Sequence, residues 1–248
     1  MAPASNETTA ILIIGGGLGV MVFERDTDED ARDQGYYITF NPMGIDVLKR
    51  IHGLKDLLSD PTIVSYRELK IIDRAVLRRN LLKNIDVCWN RRFVSHTILD
   101  HGIEALFNDG SSVKGTLLVG CDGAQSFVRA QLVPNLHRED TGVILVAGTL
   151  EPNEQCPQIR QLIQNSLVQI LGDQVNPFSN NPHVTLMNDA AHLVTIQLGM
   201  GANTTFADAF DLADFILHGA TQSLLGDYEE KMSKRGFQAV QYSFNSTS

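Results

Sequence analysis

The sequence predicts an α/β fold in which a parallel sheet carries the functional groups at one end of its strands. Three observations predict it. Residues 10–23 read as a buried strand, a glycine turn and a second strand. Two later apolar runs, ending at Val119 and Met187, each deliver the chain to an aspartate, Asp122 and Asp189. Between these runs lie segments with apolar residues at helical spacing, the alternation that builds α/β folds.

The first of these stretches, AILIIGGGLGVMVFERD, is the one around which the chain is organised. Ile11-Leu12-Ile13-Ile14 has the continuous apolar character of a buried parallel strand. Gly15-Gly16-Gly17-Leu18-Gly19 is a turn, and Val20-Met21-Val22-Phe23 is a second strand that ends on Glu24. Strand, glycine turn and strand ending in an acid form the dinucleotide-binding fingerprint, so the fold is Rossmann-like. Gly15 makes the tight turn, Gly17 lets backbone approach a pyrophosphate, and Glu24 accepts hydrogen bonds from a ribose. The fingerprint has a helix after the turn and its acid about 20 residues on. Here Glu24 follows Gly17 by seven positions and Val20 stands where the third glycine falls. A parallel crossover takes about a dozen residues. The expectation is that the first crossover helix is missing and that Ile11–Ile14 and Val20–Phe23 are not parallel neighbours.

The 248 residues suit one large domain or two small ones, and 43% hydrophobic with 20% charged residues is ordinary globular composition. A net charge of −9 argues against nucleic acid or an anionic membrane as the main partner. Cys88, Cys121 and Cys156 are odd in number and widely spaced, and the histidines lack ligand spacing. Neither a disulfide framework nor a metal site is expected. The polar start, MAPASNETTA, has no basic leader, and residues 1–9 are expected to be disordered. The apolar run 11–23 is too short and too glycine-broken to span a bilayer. These features lead to the expectation of a soluble cytoplasmic protein acting on a small molecule.

Taken in order, Ile38-Thr39-Phe40 reads as a short strand, and Asn41-Pro42 as a helix cap followed by proline at the first helical position. Ile45, Leu48, Ile51 and Leu54 predict a helix over 43–52. Asp73 caps a second helix over 74–82. Strands follow at 87–89 and 93–98. Ile103, Ala105 and Phe107 alternate, Asn108-Asp109-Gly110 turns, and 113–119 returns as one buried strand, which makes a β-hairpin. Residues 142–150 form another strand. Residues 151–182 are loop-like with a short helix at 159–171. A strand at 183–187 precedes a helical apolar stripe from Phe206 to Leu217 and a final helix over 221–235. A polar tail closes the chain.

Two constellations carry chemistry. Asp122-Gly123-Ala124-Gln125-Ser126-Phe127-Val128-Arg129 sits where a buried strand ends and a helix begins, the crevice in which open α/β sheets place ligands. Asp122 can take a hydroxyl or an amide, Gly123 permits close approach, Ser126 can bond phosphate or backbone, and Arg129 can reach an anion. Asn188-Asp189-Ala190-Ala191-His192 repeats the arrangement. Gly201-Ala202-Asn203 then opens a helix whose free N–H groups suit a polar, partly anionic ring edge.

With these motifs in view, the chain resembles the FAD-dependent aromatic hydroxylases, the para-hydroxybenzoate hydroxylase-like flavoprotein monooxygenases. The resemblance rests on GGGLG…FERD, on DGAQSFVR (122–129) and on NDAAHLVTIQLGMGANTTFADA (188–209). The connecting GYYITFNPMGIDVLKRI and DRAVLRRNLL also match. It implies an FAD-binding domain in two parts, 10–150 and 183–240, with 151–182 a reduced remnant of a substrate domain and 241–248 a tail. It implies that Gly15 and Gly17 lie under the FAD pyrophosphate, that Glu24, with Arg25 beside it, holds the adenosine ribose, and that Arg74 is near the flavin phosphates. Asp122 and Gly123 belong to the motif linked to FAD and NAD(P)H, Asp189 to the ribityl and pyrophosphate region, and Gly201, Ala202 and Asn203 to the flavin edge. Asn188 stands where the family has glycine, and Ile196 where it has proline. Only 130–187 separates the two later motifs, which implies an internally shortened member lacking most of the sheet that covers substrate. The implied activity is NAD(P)H-driven insertion of one oxygen atom from O₂ into a small aromatic compound. A non-catalytic remnant or interaction module, and another FAD-dependent oxidoreductase, stay open as alternatives.

Overall fold

The computed structural model describes residues 11–14, 21–31, 36–51, 54, 56–135, 181–192, 199–219 and 222–245. Gly15 and Gly17, the expected strand at 142–150 and the expected helix at 159–171 lie outside the described residues.

The centre is a five-stranded parallel sheet. Its strands are β1 (Ile11–Ile14), β2 (Met21–Phe23), β6 (Val87–Cys88), β10 (Leu117–Gly120) and β11 (Val184–Leu186), in the order β11-β10-β1-β2-β6. These are the continuous apolar runs of the sequence. Leu12, Ile13, Val22, Leu118, Val119, Val184 and Leu186 are fully buried. A run apolar on both faces is stable only where both faces are covered.

The parallel pairing of β1 with β2 overturns one expectation. Leu12 lies beside Met21, Ile13 beside Val22 and Ile14 beside Phe23. The dozen-residue minimum applies to a crossover that packs a helix on the sheet. Here β2 begins opposite Leu12, so the chain leaving Ile14 must step back two residues and sideways by one strand. That is about 8 Å at ordinary sheet spacings, within the reach of residues 15–20. Burying both apolar strands in the centre of the sheet favours this pairing over a hairpin.

The fold also holds two antiparallel sheets. In the first, β7 (Phe93–Leu99), β8 (Gly102–Phe107) and β9 (Ser112–Gly115) form a meander. Gly110, at φ +81°, sits in the expected turn. The run 113–119 is not one strand: β9 pairs with β8, and β10 departs into the parallel sheet. The pattern explains the break, since Ser112–Gly115 is half exposed whereas Leu117–Gly120 is wholly buried. The Phe23 and Phe107 rings, with centroids 4.6 Å apart, join the two sheets. The second sheet comprises β3 (Tyr37–Phe40), β4 (Val64–Tyr66) and β5 (Leu69–Asp73) in the order β3-β5-β4. Its β4 and β5 give no clean alternation and are not legible in the sequence.

The helices follow their caps. Asn41 accepts from Gly44 N at 3.0 Å at the head of α1 (Pro42–Arg50). Asp73 accepts from Ala75 N and Val76 N at 2.8 and 3.0 Å at the head of α2 (Arg74–Leu82). Ser126 caps α3 (Phe127–Leu132). α4 (Met200–Leu217) lies against α1, and Gly44 permits the approach, since a Cβ there would stand 2.1 Å from Asn203 Oδ1. α5 (Gln222–Asn245) runs past the expected end at 235. Gly236 is no terminator: it is buried against the ring of His192, and no proline follows.

Candidate functional site

In the parallel sheet, the chain passes from β1 to β2 and β6 on one side and returns to β10 and β11 on the other. The strand order therefore reverses at β1, and ligands of open α/β sheets bind beyond the carboxyl ends of the strands at such a point. Glu24 follows β2, Asp122-Gly123 follows β10, and Asn188-Asp189 follows β11. Three stretches distant in sequence thus come to one edge because all these strands run the same way.

Glu24 is half-buried. Its backbone N–H donates to Cys88 O at 3.0 Å, and its Oε1 accepts from Arg25 N at 2.8 Å and Asp26 N at 3.3 Å. The bend so formed holds the carboxylate at the strand end, with Arg25 exposed beside it. Arg74 opens α2, with its guanidinium 5.5 Å over the Tyr36 ring. Arg78, one turn on, donates to Glu29 O and stands 5.4 Å over Trp89, tying α2 to the turns after β2 and β6.

Asp122 works first on its own turn. Its carboxylate accepts from Ser126 Oγ, from Phe127 N at 2.7 Å and from Val128 N at 3.3 Å, satisfying the free donors at the head of α3. Ser126 Oγ accepts in turn from Arg129 N at 2.9 Å. Gly123, at φ +84°, makes the bend. Gly120 is needed for packing, since a Cβ there would lie 2.8 Å from Leu186 and Val128.

Arg129, read from sequence as an anion ligand, is buried and binds carbonyls instead. It donates to Ala190 O at 2.9 Å, to Asp189 O at 3.3 Å and to Ala124 O. It thereby fastens the turn after β10 to the turn after β11. Met187 N, bonded to Gly120 O at 3.0 Å, adds the backbone link.

In the second turn Asn188 has φ +65°. The left-handed region that favours glycine also admits asparagine, which explains the Asn at a family glycine position. Its Oδ1 accepts from Thr205 Oγ1 at 3.0 Å, anchoring the turn to α4. Asp189 is half-buried, and no described residue donates to its carboxylate. Burial pushes its carboxyl above the ordinary range, with the charge of His192 pulling partly back.

At the head of α4, Gly199 (φ +61°) turns the chain and Gly201 faces open space. Ala202 packs on the cluster around Phe40 and Leu48. Asn203, read as part of a flavin edge, is buried and clamps the fold. It donates to Thr39 O at 2.9 Å and Gly199 O at 2.7 Å, and accepts from Asn41 N at 3.0 Å.

Behind the second turn lies a polar network that the sequence reading missed. His192 Nε2 and Asp208 Oδ2 are 2.5 Å apart, and Arg235 Nε donates to Asp208 Oδ1 at 2.9 Å and also, through Nη2, to Asp211. The helical spacing of Asp208 and Asp211 was a signal that one face of α4 seeks a cation. Nearby, Thr185 Oγ1 donates to buried Glu229 at 2.8 Å, and burial pushes the Glu229 carboxyl up to about 7.

Known proteins resemble this chain in sequence and in fold. A family model described as FAD binding domain matches residues 160–243. The FAD-dependent monooxygenase thnD of Trichoderma harzianum is 29% identical over 178 residues, covering 56% of this chain and 44% of thnD. The dual O-methyltransferase/FAD-dependent monooxygenase elcB of Phaeosphaeria nodorum is 27% identical over 164 residues, covering 56% of this chain and 17% of elcB. The matches thus span less than half the length of these relatives. The structure of a Klebsiella pneumoniae HpxO variant complexed with FAD shares the fold, with TM-score 0.72 at 17% identity over 95% of this chain and 88% of that one. Among the described residues, no helix is long and apolar enough to cross a membrane. Over about half its length the chain is similar to FAD-dependent monooxygenases, and it shares the fold of an FAD-binding monooxygenase structure.

Proposed function

We propose that this chain binds FAD along the carboxyl edge of its parallel sheet and oxidises NAD(P)H with it. The observation that carries the reading is the convergence of Glu24, Asp122-Gly123 and Asp189 beyond parallel strands at the switch point. The residues suit the cofactor. Asp189 is an acceptor without a described donor, as a polyhydroxyl chain requires. Gly123 and Gly201 leave space where a Cβ would meet nothing within 4 Å.

Gly15 and Gly17 would pass under the pyrophosphate, Glu24 and Arg25 would meet the adenosine ribose, and Arg74 the phosphates. Asp189 would hold the ribityl chain, and Gly201 with its neighbours Ala202 and Asn203 would border the ring. Asp122 would act by shaping its turn, since its carboxylate already caps α3. Bound FAD supplies redox chemistry between a nicotinamide and O₂, while the protein positions it and excludes water. The full activity is insertion of one oxygen atom into a small aromatic compound. It is impaired in this form, because residues 130–187 are few for a sheet that covers substrate. An uncovered site is wet, and oxygen transfer to an organic substrate needs a dry one.

The test is direct. Purified protein is titrated with FAD by flavin fluorescence, then supplied with NADH or NADPH with and without O₂. The expected result is saturable FAD binding and O₂-dependent NAD(P)H consumption with H₂O₂ as product. Absence of binding favours a non-catalytic interaction module. Consumption of NAD(P)H that ignores O₂ favours a reductase. Stoichiometric hydroxylation of an aromatic acid overturns the impaired state.

A further inference from the structure

Three helices hold the turn that presents Asp189, and one chain of contacts leads from it to α5. Within the turn, Ala191 N and His192 N both donate to Asn188 O, at 2.7 and 2.9 Å. The His192 ring is only 8% exposed, and its Nε2 lies 2.5 Å from Asp208 Oδ2. A carboxylate oxygen only accepts, so Nε2 donates, and a neutral ring does this as well as a charged one. Asp208 of α4 is not exposed at all, and Arg235 of α5 donates through Nε to its other oxygen at 2.9 Å. The next residue, Gly236, closes over the ring, since a Cβ there would stand 2.6 Å from it. Turn, α4 and α5 are thus joined by two hydrogen bonds that share one buried carboxylate. Arg129 of α3 reaches the same turn at Ala190 O, and Thr205 of α4 reaches it at Asn188.

We propose that Arg235 is a positioning residue of this site: by holding Asp208 against the His192 ring, it fixes the Asn188–His192 turn, and with it the place of Asp189, from α5. A buried carboxylate stripped of its cation is costly. Without Arg235, Asp208 is left with the imidazole alone, and the side chain gains by turning toward water. The ring then loses its anchor on α4, and the turn loses the bond that ties its last residue to the helices. Arg235 also meets Asp211, but that carboxylate is 25% exposed and the pair is screened by solvent, whereas Asp208 is not. The hold on the turn therefore runs through Asp208. The bonds of Arg235 go to α4, not to a residue assigned to FAD, so its effect on the cofactor passes through the turn. The consequence for FAD rests on the proposed function, whereas the fixing of the turn does not.

The experiment has one arm without cofactor and one with it. In the first, hydrogen exchange of the Ala191 and His192 amides, which report the turn, is measured against that of Leu118 and Val119 in β10. In Arg235→Met, which keeps an apolar stem and removes the donors, the turn amides are expected to exchange roughly tenfold faster relative to the β10 pair. In Asp211→Asn, which leaves the Asp208 bond in place, the ratio is expected to keep its wild-type value. An unmoved ratio in Arg235→Met, or an equal shift in both variants, overturns the proposal. If Arg235→Met fails to fold by circular dichroism, Arg235→Gln, milder because an amide donor remains, is read by the same ratio against the same outcomes. In the second arm, FAD affinity of Arg235→Met is roughly tenfold weaker than wild type. Combined with Asp189→Ala, the loss is no greater than in Asp189→Ala alone, because both changes act at one side chain. Additive losses mark a merely structural role and overturn the positioning of Asp189, as does wild-type affinity in Arg235→Met. Failure of every protein to bind FAD refutes the proposed function and leaves the exchange ratio to judge the clamp.

Discussion

Arg129 donates to the carbonyl oxygen of Ala190 at 2.9 Å, so a side chain rooted in α3 holds the turn after β11. The site is therefore a pair of turns fastened to each other, and its rigidity depends on a buried guanidinium.

Replacing Arg129 by methionine keeps much of the volume but strips donors from Ala124, Asp189 and Ala190 carbonyls. Unfolding free energy from urea titration is expected to fall by on the order of 3 kcal/mol. A loss below about 0.5 kcal/mol would mean that the guanidinium does not secure the turns.

Asp189→Ala removes a half-buried carboxyl group to which no described residue donates a hydrogen bond. FAD affinity is expected to drop roughly 10- to 150-fold, the equivalent of about 1.5–3 kcal/mol. Unchanged affinity in a fluorescence titration would show that Asp189 does not touch the cofactor.

Glu229 makes stability depend on pH. Its folded-state carboxyl is raised from 4.5 to about 7, with burial the largest cause and the Thr185 hydrogen bond opposing it. Between these values the folded protein holds a proton that the unfolded chain has released. The contribution is therefore complete below pH 4.5 and is lost as pH rises through about 7. Glu229→Gln keeps an acceptor for Thr185 and removes the ionisation. Urea unfolding should find it more stable than wild type at pH 8 by roughly 3 kcal/mol, with the difference closing near pH 5. A pH-independent difference would contradict this assignment.

Two glycines separate fold from site. Gly44→Ala brings a Cβ within 2.1 Å of Asn203 Oδ1 and should cost about 1–3 kcal/mol in thermal or urea unfolding. At Gly201 an added Cβ meets nothing within 4 Å, so Gly201→Leu should leave stability within about 1 kcal/mol of wild type. If the head of α4 borders the flavin ring, the same Gly201 variant weakens FAD binding. Intact binding in Gly201→Leu would remove this residue from the site.

The sequence by itself determined the elements whose cause is local. Asn41 and Asp73 have side chains that reach the first free N–H groups, so α1 and α2 begin where those residues stand. The apolar runs of β1, β10 and β11 announced a buried parallel sheet, and with it the edge at which Asp122 and Asp189 emerge. Tertiary structure decided what depends on partners distant in the chain. β1 and β2 pair in parallel because mutual burial outweighs a crossover rule drawn from helix-bearing units. The run 113–119 divides because its two halves find different neighbours. Arg129 and Asn203, polar residues in ligand-like motifs, became internal clamps because each lies within reach of carbonyls that only folding brings near. His192, Asp208 and Arg235 meet from a turn and two helices, and no spacing along the chain encodes that meeting. Burial makes such polar groups find partners, and the packing of the helices on the sheet decides which partners are there to be found.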